Sequence, residues 1–306
     1  MGRLLHNPMA LVGISIILVM LVLALFAPFI APHDPDEKVR VTLDSIYAKP
    51  SSSNLWGTDD AGRDVLSNFI YGSRVSLIVG FFASLISVVI GGFLGMIAGY
   101  AGGRIDQWIT GITNVFLVVP DLPLAIVLVA LLGPSLLNII LVIGILGWTG
   151  TARLVRAQTL SVKERKFVLR SKALGASHTH IIRRHILPHI LPLLVANTVL
   201  VISLAILNES TLSFLGLSDP TTLSWGQMLN YAFTRGAMSS GAWWALVVPG
   251  FGIVWLVLGC TLLGHGLEQV LNPRLESHHL IPNQEMVLTE TILEPTPRLA
   301  KKPREA

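Results

Sequence analysis

The chain has 306 residues, 52% of them hydrophobic and only 13% charged, with a formal net charge of +4 and a mean hydropathy of +0.66. Soluble domains carry about 25% charged residues, so this composition excludes an ordinary soluble domain and places the chain in a lipid bilayer. One cysteine, Cys260, excludes an internal disulfide and a thiolate metal cluster; within an apolar stretch it reads as a small core hydrophobe.

Six apolar stretches, at about 9–31, 75–99, 108–132, 134–152, 190–215 and 244–266, approach the roughly 20 residues needed to cross about 30 Å of hydrocarbon. They predict an all-α integral membrane protein with six transmembrane helices. The first follows Arg3, as a signal peptide would, but it outlasts an h-region and no small-x-small cleavage site follows it, so a retained anchor is expected. The segment 32–73 is acidic, with four bases against seven acids. In GTDDAGRD, Asp59, Asp60, Arg63 and Asp64 are expected to cap and staple a short surface helix leading into the second span. The third span is interrupted by VVPDLP (118–123), whose two prolines free carbonyls toward a possible channel, and GPS (133–135) reads as a tight turn before the fourth.

The segment 153–189 carries nine Lys and Arg against one acid, Glu164, which by the positive-inside rule puts it in the cytoplasm, with both termini on the same side and 32–73 outside. SVKE (161–164) has capping-box spacing and predicts a helix through Leu174. Gly175 fits the left-handed position that closes it. Ser177 then caps a short helix, His178 to about Ile186, whose Arg183, Arg184 and His185 suit the C-terminal dipole. Pro188 is expected to stop that helix, with Pro192 following as the chain re-enters the membrane.

Gly175 is followed by nine residues, then His185, Ile186, Leu187 and Pro188. This spacing resembles the cytoplasmic loop of ABC-importer membrane subunits, written as EAA, three residues, Gly, nine residues, I-x-LP. The EAA positions fall on Leu169, Arg170 and Ser171, and His185 stands where isoleucine is usual. Further strings occur in the order seen in one branch of that family: WGTDDAGRDVLSNFIYGSRVSL (56–77), GYAGGRIDQ (99–107), ARLVRAQTLSVKERKFV (152–168), ESTLSFLGL (209–217), SWGQML (224–229) and NPRL (272–275). Over roughly residues 5–276 the chain resembles the second permease subunit of the dipeptide, oligopeptide and nickel importers.

The resemblance implies a type I ABC importer permease fold with a cytoplasmic coupling helix. It implies a membrane anchor and extracytoplasmic segment at 1–73, a permease core at 74–268 with its coupling loop at 153–189, and a cytoplasmic tail from 269; residues 277–306 lie outside the resemblance, and their four prolines and scattered charge predict disorder. The implied partners are a second homologous permease subunit, two cytoplasmic ATPases, an extracytoplasmic solute-binding protein and the lipid bilayer, with no nucleic acid. The ATPase contact would involve Gly175, Ala176, Ser177, His178, Ile181, Ile182, Arg183, Arg184, Leu187 and Pro188, with Ile181, Ile182 and Leu187 carrying the packing. The cargo would be di- or oligopeptides, or alternatively nickel chelates or oligosaccharides.

The chain has no G-x-x-x-x-G-K-[ST] string, so ATP and Mg are expected on the partners, with no cofactor, catalytic residue or metal in this chain. Polar residues at membrane depth usually face a cavity, partner or pathway, and four are path candidates: Asn114, Asp121, Asn208 and Glu209. Asp121 stands where the family usually has a small polar residue. Glu209 reads either as a substrate or gating group or as a structural bond to neighbouring backbone. His178, His180, His185 and His189, with His278 and His279, lack an HExxH arrangement. The glycines Gly91 and Gly95 read as close-packing residues. Near the end of the sixth span, His265, Glu268, Gln269 and Asn272 replace the family's usual Asp, Arg, Asp and Asp, so an interhelical ion pair is expected to be missing or replaced. Residues 32–73 and 217–243, with Trp225, Trp243 and Trp244 as an interface belt, would form the landing surface for the binding protein or anchor the bundle. A secondary transporter would show paired interruptions in two halves, and an intramembrane hydrolase a nucleophile and base; neither pattern is seen.

Overall fold

The computed structural model describes residues 6–35, 41–42 and 44–271. The tail from 277, His278, His279, Asn272 and the NPRL string therefore lie outside the described residues. Helix α1 (Pro8–Leu25) opens at Asn7, whose side-chain oxygen accepts from the Met9 and Ala10 amides at 3.0 and 3.2 Å, with Pro8 pre-set for the first turn. A single turn, α2 (Ala27–Ile30), follows. Helix α3 (Val65–Ala101) is 37 residues long and starts where Asp64 accepts from the Ser67 amide at 2.8 Å. The second span thus begins ten residues earlier than the hydropathy suggested, and the acidic stretch caps the span itself, with no separate surface helix before it.

Helices α4 (Gly103–Val118) and α5 (Asp121–Leu132) meet at Val119 and Pro120 with a bend of 86°. The third span is therefore a broken pair. Counting it, the described residues hold six candidate spans; without it, five. Helices α6 (Leu136–Leu146) and α7 (Trp148–Lys163) run on as one 28-residue span. Because α7 continues through Ser161, that residue lies inside a helix and is no N-cap. Thr151, Ala152, Val155, Thr159 and Val162 are all buried, a stripe at helical spacing that carries the helix past the SVKE signal. The short α8 (Lys166–Ala173) starts afresh behind Arg165. Helix α9 (His178–Ile181), a π turn (Ile182–Ile186) and α10 (Leu187–Phe214) form one 37-residue element. Helices α11 (Trp225–Thr234) and α12 (Trp244–Leu271) complete the bundle, both packed against α10 and α12 also against α1. Helix α3 runs unbroken across residues 73–74, and α12 across 268–269.

Helix α3 is the hub, packed along α7, α10 and α6. Against α7 it presents Gly91, Gly95 and Gly99. A Cβ on these would stand 2.4 Å from the Trp148 carbonyl, 2.3 Å from that of Ala152 and 2.8 Å from that of Arg156, so only hydrogen fits, as small-residue helix contacts in membranes require. Helix α1 meets α12 the same way through Gly13, Gly259 and Gly266. Of the buried serines of α3, Ser73 donates to the Ile70 carbonyl at 2.6 Å and Ser84 to that of Phe81 at 2.9 Å, Ser87 crosses to the Gly144 carbonyl at 2.9 Å, and Ser76 Oγ has no partner among the described residues. Large apolar side chains such as Phe93, Leu204 and Val254 point outward and exposed, as hydrocarbon-facing positions do.

Two of the three tryptophans expected in an interface belt are core residues. Trp225 is fully buried, stacks on Phe69 with centroids 5.3 Å apart and donates from Nε1 to the Phe69 carbonyl at 2.9 Å. Trp244 is buried and donates to the Thr58 carbonyl at 3.2 Å. Only Trp243 is exposed. The indole N–H groups find backbone partners inside, so burial outweighs a position at the headgroups.

Candidate functional site

At one end of the bundle the chain folds back as a hairpin of α8 and α9. Helix α8 closes with Gly175 at φ 83°; the Gly175 amide donates to the Lys172 carbonyl at 3.0 Å and the Ala176 amide to that of Ser171 at 3.1 Å. This doubly bonded left-handed cap is a Schellman turn, the closure that Gly175 predicts. Ser177 Oγ then accepts from the His180 amide at 3.3 Å and opens the next helix, again as its position predicts. The expected stop at Pro188 does not occur. The Leu187 amide reaches back five residues to the Ile182 carbonyl. This wider turn gives room where the Pro188 ring would otherwise strike the Arg184 carbonyl, and the helix continues into the membrane.

The hairpin sorts its residues by side. Ile181 and Ile186 are buried with Val155, Val162, Val168 and Ile190 in a core of their own. Ile181 therefore packs within the chain, and Ile182 and Leu187 are half-buried beside it. Gly175, Ser177, His178, Arg183, Arg184 and Pro188 face outward, with Ala176 half-buried. The most exposed apolar side chain here is Leu174, at 82%; its place just before the glycine of a Schellman turn was the available signal for it. His178 Nδ1 lies 2.7 Å from the Tyr100 hydroxyl and His189 Nδ1 2.7 Å from the His185 carbonyl, with the His189 ring stacked on Phe167. Among the described residues no three His, Cys, Asp or Glu side chains converge as a metal site.

The break between α4 and α5 opens a cleft lined by Asp121, Leu122, Ala125, Ile143, Leu146, Gly147, Asn208 and Leu212. Two path candidates from distant parts of the sequence, Asp121 and Asn208, thus share one wall. The other two do not join them. Asn114 accepts from Arg153 Nη2 at 3.1 Å, on the side where α4 meets α7. Beside it, Asp106 takes a forked pair of bonds from Arg156, at 2.5 and 2.7 Å, and one from Thr110 Oγ1 at 3.1 Å. Sequence reasoning passed over this ion pair; an acid at the start of a span and a base 50 residues later give no local sign of each other. Glu209 is buried, and its oxygens accept from Ser213 Oγ at 2.7 Å and Ser210 Oγ at 3.3 Å. Both donors are serine side chains of its own helix rather than backbone.

At the other end, loop 57–64 is folded by its own acids. Asp59 accepts from the Ala61 and Arg63 amides at 2.9 and 2.8 Å, from Arg63 Nε at 2.9 Å and from Asn68 Nδ2 at 3.1 Å. Burial pushes its carboxyl up, with the Arg63 guanidinium pulling the other way. Asp60 pairs with Arg235 at the end of α11, and the Arg235 guanidinium lies 4.2 Å over the Tyr231 ring. Near the end of α12 the expected ion pair is replaced: Asn7 Nδ2 donates to Gln269 Oε1 at 2.9 Å, and His265 faces Glu268 at 3.7 Å on its own helix.

A bundle of apolar helices, with one broken span beside a small cleft and a basic hairpin at one end, is the architecture of a multi-span membrane protein. Residues 91–277 match the family described as binding-protein-dependent transport system inner membrane component, and residues 1–50 match the N-terminal TM domain of oligopeptide transport permease C. The dipeptide transport system permease protein DppC of Bacillus subtilis (strain 168) is 40% identical over 274 residues, which cover 89% of this chain and 84% of the relative. Its namesake from Haemophilus influenzae is 40% identical over 275 residues, 89% of this chain and 92% of the relative. The oligopeptide transport system permease protein OppC of Bacillus subtilis (strain 168) is 34% identical over 277 residues, 90% and 88%. The chain belongs to the family of binding-protein-dependent transport system inner membrane components.

Proposed function

We propose that this chain is one of two permease subunits of an ATP-driven importer and forms part of the path taken by di- or oligopeptides. In this reading a solute-binding protein delivers the peptide at the 41–64 and 215–243 face. One of two ATPases carrying ATP and Mg docks on this chain's α8–α9 hairpin, which lies in the cytoplasm with both termini. The observation that carries the reading is the single helical element His178–Phe214. It holds the exposed hairpin residues His178, Arg183 and Arg184 at one end and the cleft residue Asn208 some 30 residues away, about 45 Å at 1.5 Å per residue. A displacement imposed on the hairpin thus moves the cleft wall, which is what alternating access by rigid-body motion requires. Gly175 sets the angle at which that end is presented, and Leu174 with the exposed cations forms the contact; Ile181 braces it from inside. The names of the relatives favour peptides over metal chelates or oligosaccharides as cargo.

The test is reconstitution in proteoliposomes with a second permease subunit, the ATPases and the binding protein encoded beside it. Uptake of a radiolabelled dipeptide is expected to require both ATP and the loaded binding protein. Gradient-driven uptake by this chain alone would overturn the reading.

A further inference from the structure

The carboxylate of Asp121 is exposed, lines the cleft at the broken span and, among the described residues, has neither a hydrogen-bond nor an ion-pair partner. Asn208 on α10 shares the cleft and is equally unbonded among the described residues. The remaining walls are apolar: Leu122, Ile143, Leu146 and Leu212. Gly147, which also lines it, lies between the 11-residue α6 and the 16-residue α7 of a continuous 28-residue span, so the cleft sits well inside the membrane rather than at a surface.

A lone carboxylate at that depth is costly unless it faces water or a cation. Every other acid in the broken span and its neighbours is spoken for: Asp106 by Arg156 and Thr110, Glu209 by two serines. Asp121 is also the first residue of α5, where the partial positive charge of a helix N-terminus favours the ionised form. Two basic groups of α7, Arg153 and Arg156, are directed to Asn114 and Asp106. The cleft therefore holds a carboxyl group and an amide with free valences, between apolar walls.

We propose that Asp121 and Asn208 form a cation subsite of the translocation path that receives the free ammonium group of a peptide. The carboxylate supplies the counter-charge and the Asn208 side-chain oxygen accepts a second N–H, in a space of about 20 Å³ that admits one group the size of a water or an ammonium. The carboxylate acts as a specificity-determining group, favouring cargo with a free amino terminus over blocked or anionic cargo. The assignment of an ammonium rests on the peptide-importer reading above, whereas the cation preference of the cleft does not.

Two measurements separate the two. With Cys260, the chain's single and buried cysteine, changed to serine, Asn208→Cys in the assembled importer is labelled by cationic and anionic methanethiosulfonates of similar size. The cationic-to-anionic rate ratio is expected to fall about tenfold when Asp121→Asn is added, the change that about 1.4 kcal/mol makes. In the importer with Asn208 intact, Asp121→Asn is expected to lower uptake of a free-amine dipeptide about tenfold at saturating loaded binding protein, with Asp121→Glu retaining most of it. An unchanged labelling ratio, or wild-type uptake by Asp121→Asn, overturns the proposal. If the labelling ratio falls but the wild-type importer moves no dipeptide under any condition, the cation subsite stands and the peptide reading fails.

Discussion

A Cβ on residue 175 would meet nothing within 4 Å, so the cost of replacing Gly175 lies entirely in its backbone, held at φ 83°. A β-branched residue there costs about 1–2 kcal/mol, enough to shift the hairpin population roughly 5- to 30-fold. Gly175→Val is expected to insert and accumulate normally while ATP-driven uptake falls several-fold; Gly175→Asn, which tolerates the left-handed region, keeps most activity. Wild-type uptake by the valine variant would remove Gly175 from the coupling role. The same residue shows what sequence can say at this scale. A glycine between a helical stretch and Ser177 signals its own left-handed turn, because the requirement is local. The side to which Ile181 points is not local, since Val155, Val162 and Val168, which bury it, arrive from other helices.

At the scale of elements, the π turn is the one departure from regular helix in the 37-residue element His178–Phe214. Pro188 supplies the reason, lacking an amide and crowding the carbonyl four residues back. Pro188→Ala restores that amide and lets the turn tighten toward an α-helix. Each residue of an α-helix turns about 100°, so losing the extra residue of the π turn rotates the exposed face of α9 relative to α10. The expected outcome is unchanged or raised thermal stability with ATP hydrolysis poorly coupled to uptake, read as a lower ratio of peptide imported to ATP consumed. Normal coupling in that variant would show that the turn only accommodates the proline. Element ends followed the same rule as single residues: Asn7, Asp64 and Ser177 cap the helices they precede. The SVKE signal misled because a buried stripe on α7, a tertiary fact, outweighed a capping preference worth about 1 kcal/mol.

On the whole molecule, the end of the bundle away from the hairpin contains an aromatic junction. Trp225 from α11 sits on Phe69 of α3 and touches the space above Gly252 of α12. Trp225→Ala removes the stacking and the bond to the Phe69 carbonyl and is expected to cost about 3–5 kcal/mol, visible as a lower melting temperature in detergent. Trp243→Ala, at a residue 59% exposed, should stay within about 0.5 kcal/mol; equal losses at both positions would refute the distinction. The amino-acid sequence alone determined that the chain crosses a membrane, roughly where, and that Gly175 marks a turn before a basic helix, because hydropathy, charge and backbone preference act over a few residues. Tertiary structure decided the rest. It set the angle of 86° at the break that the prolines of 118–123 already marked, paired Asp106 with Arg156, buried Trp225 and Ile181, and brought Asp121 and Asn208 to one cleft, because each of these depends on which distant side chain fills the adjoining space, and spacing along the chain carries no record of that.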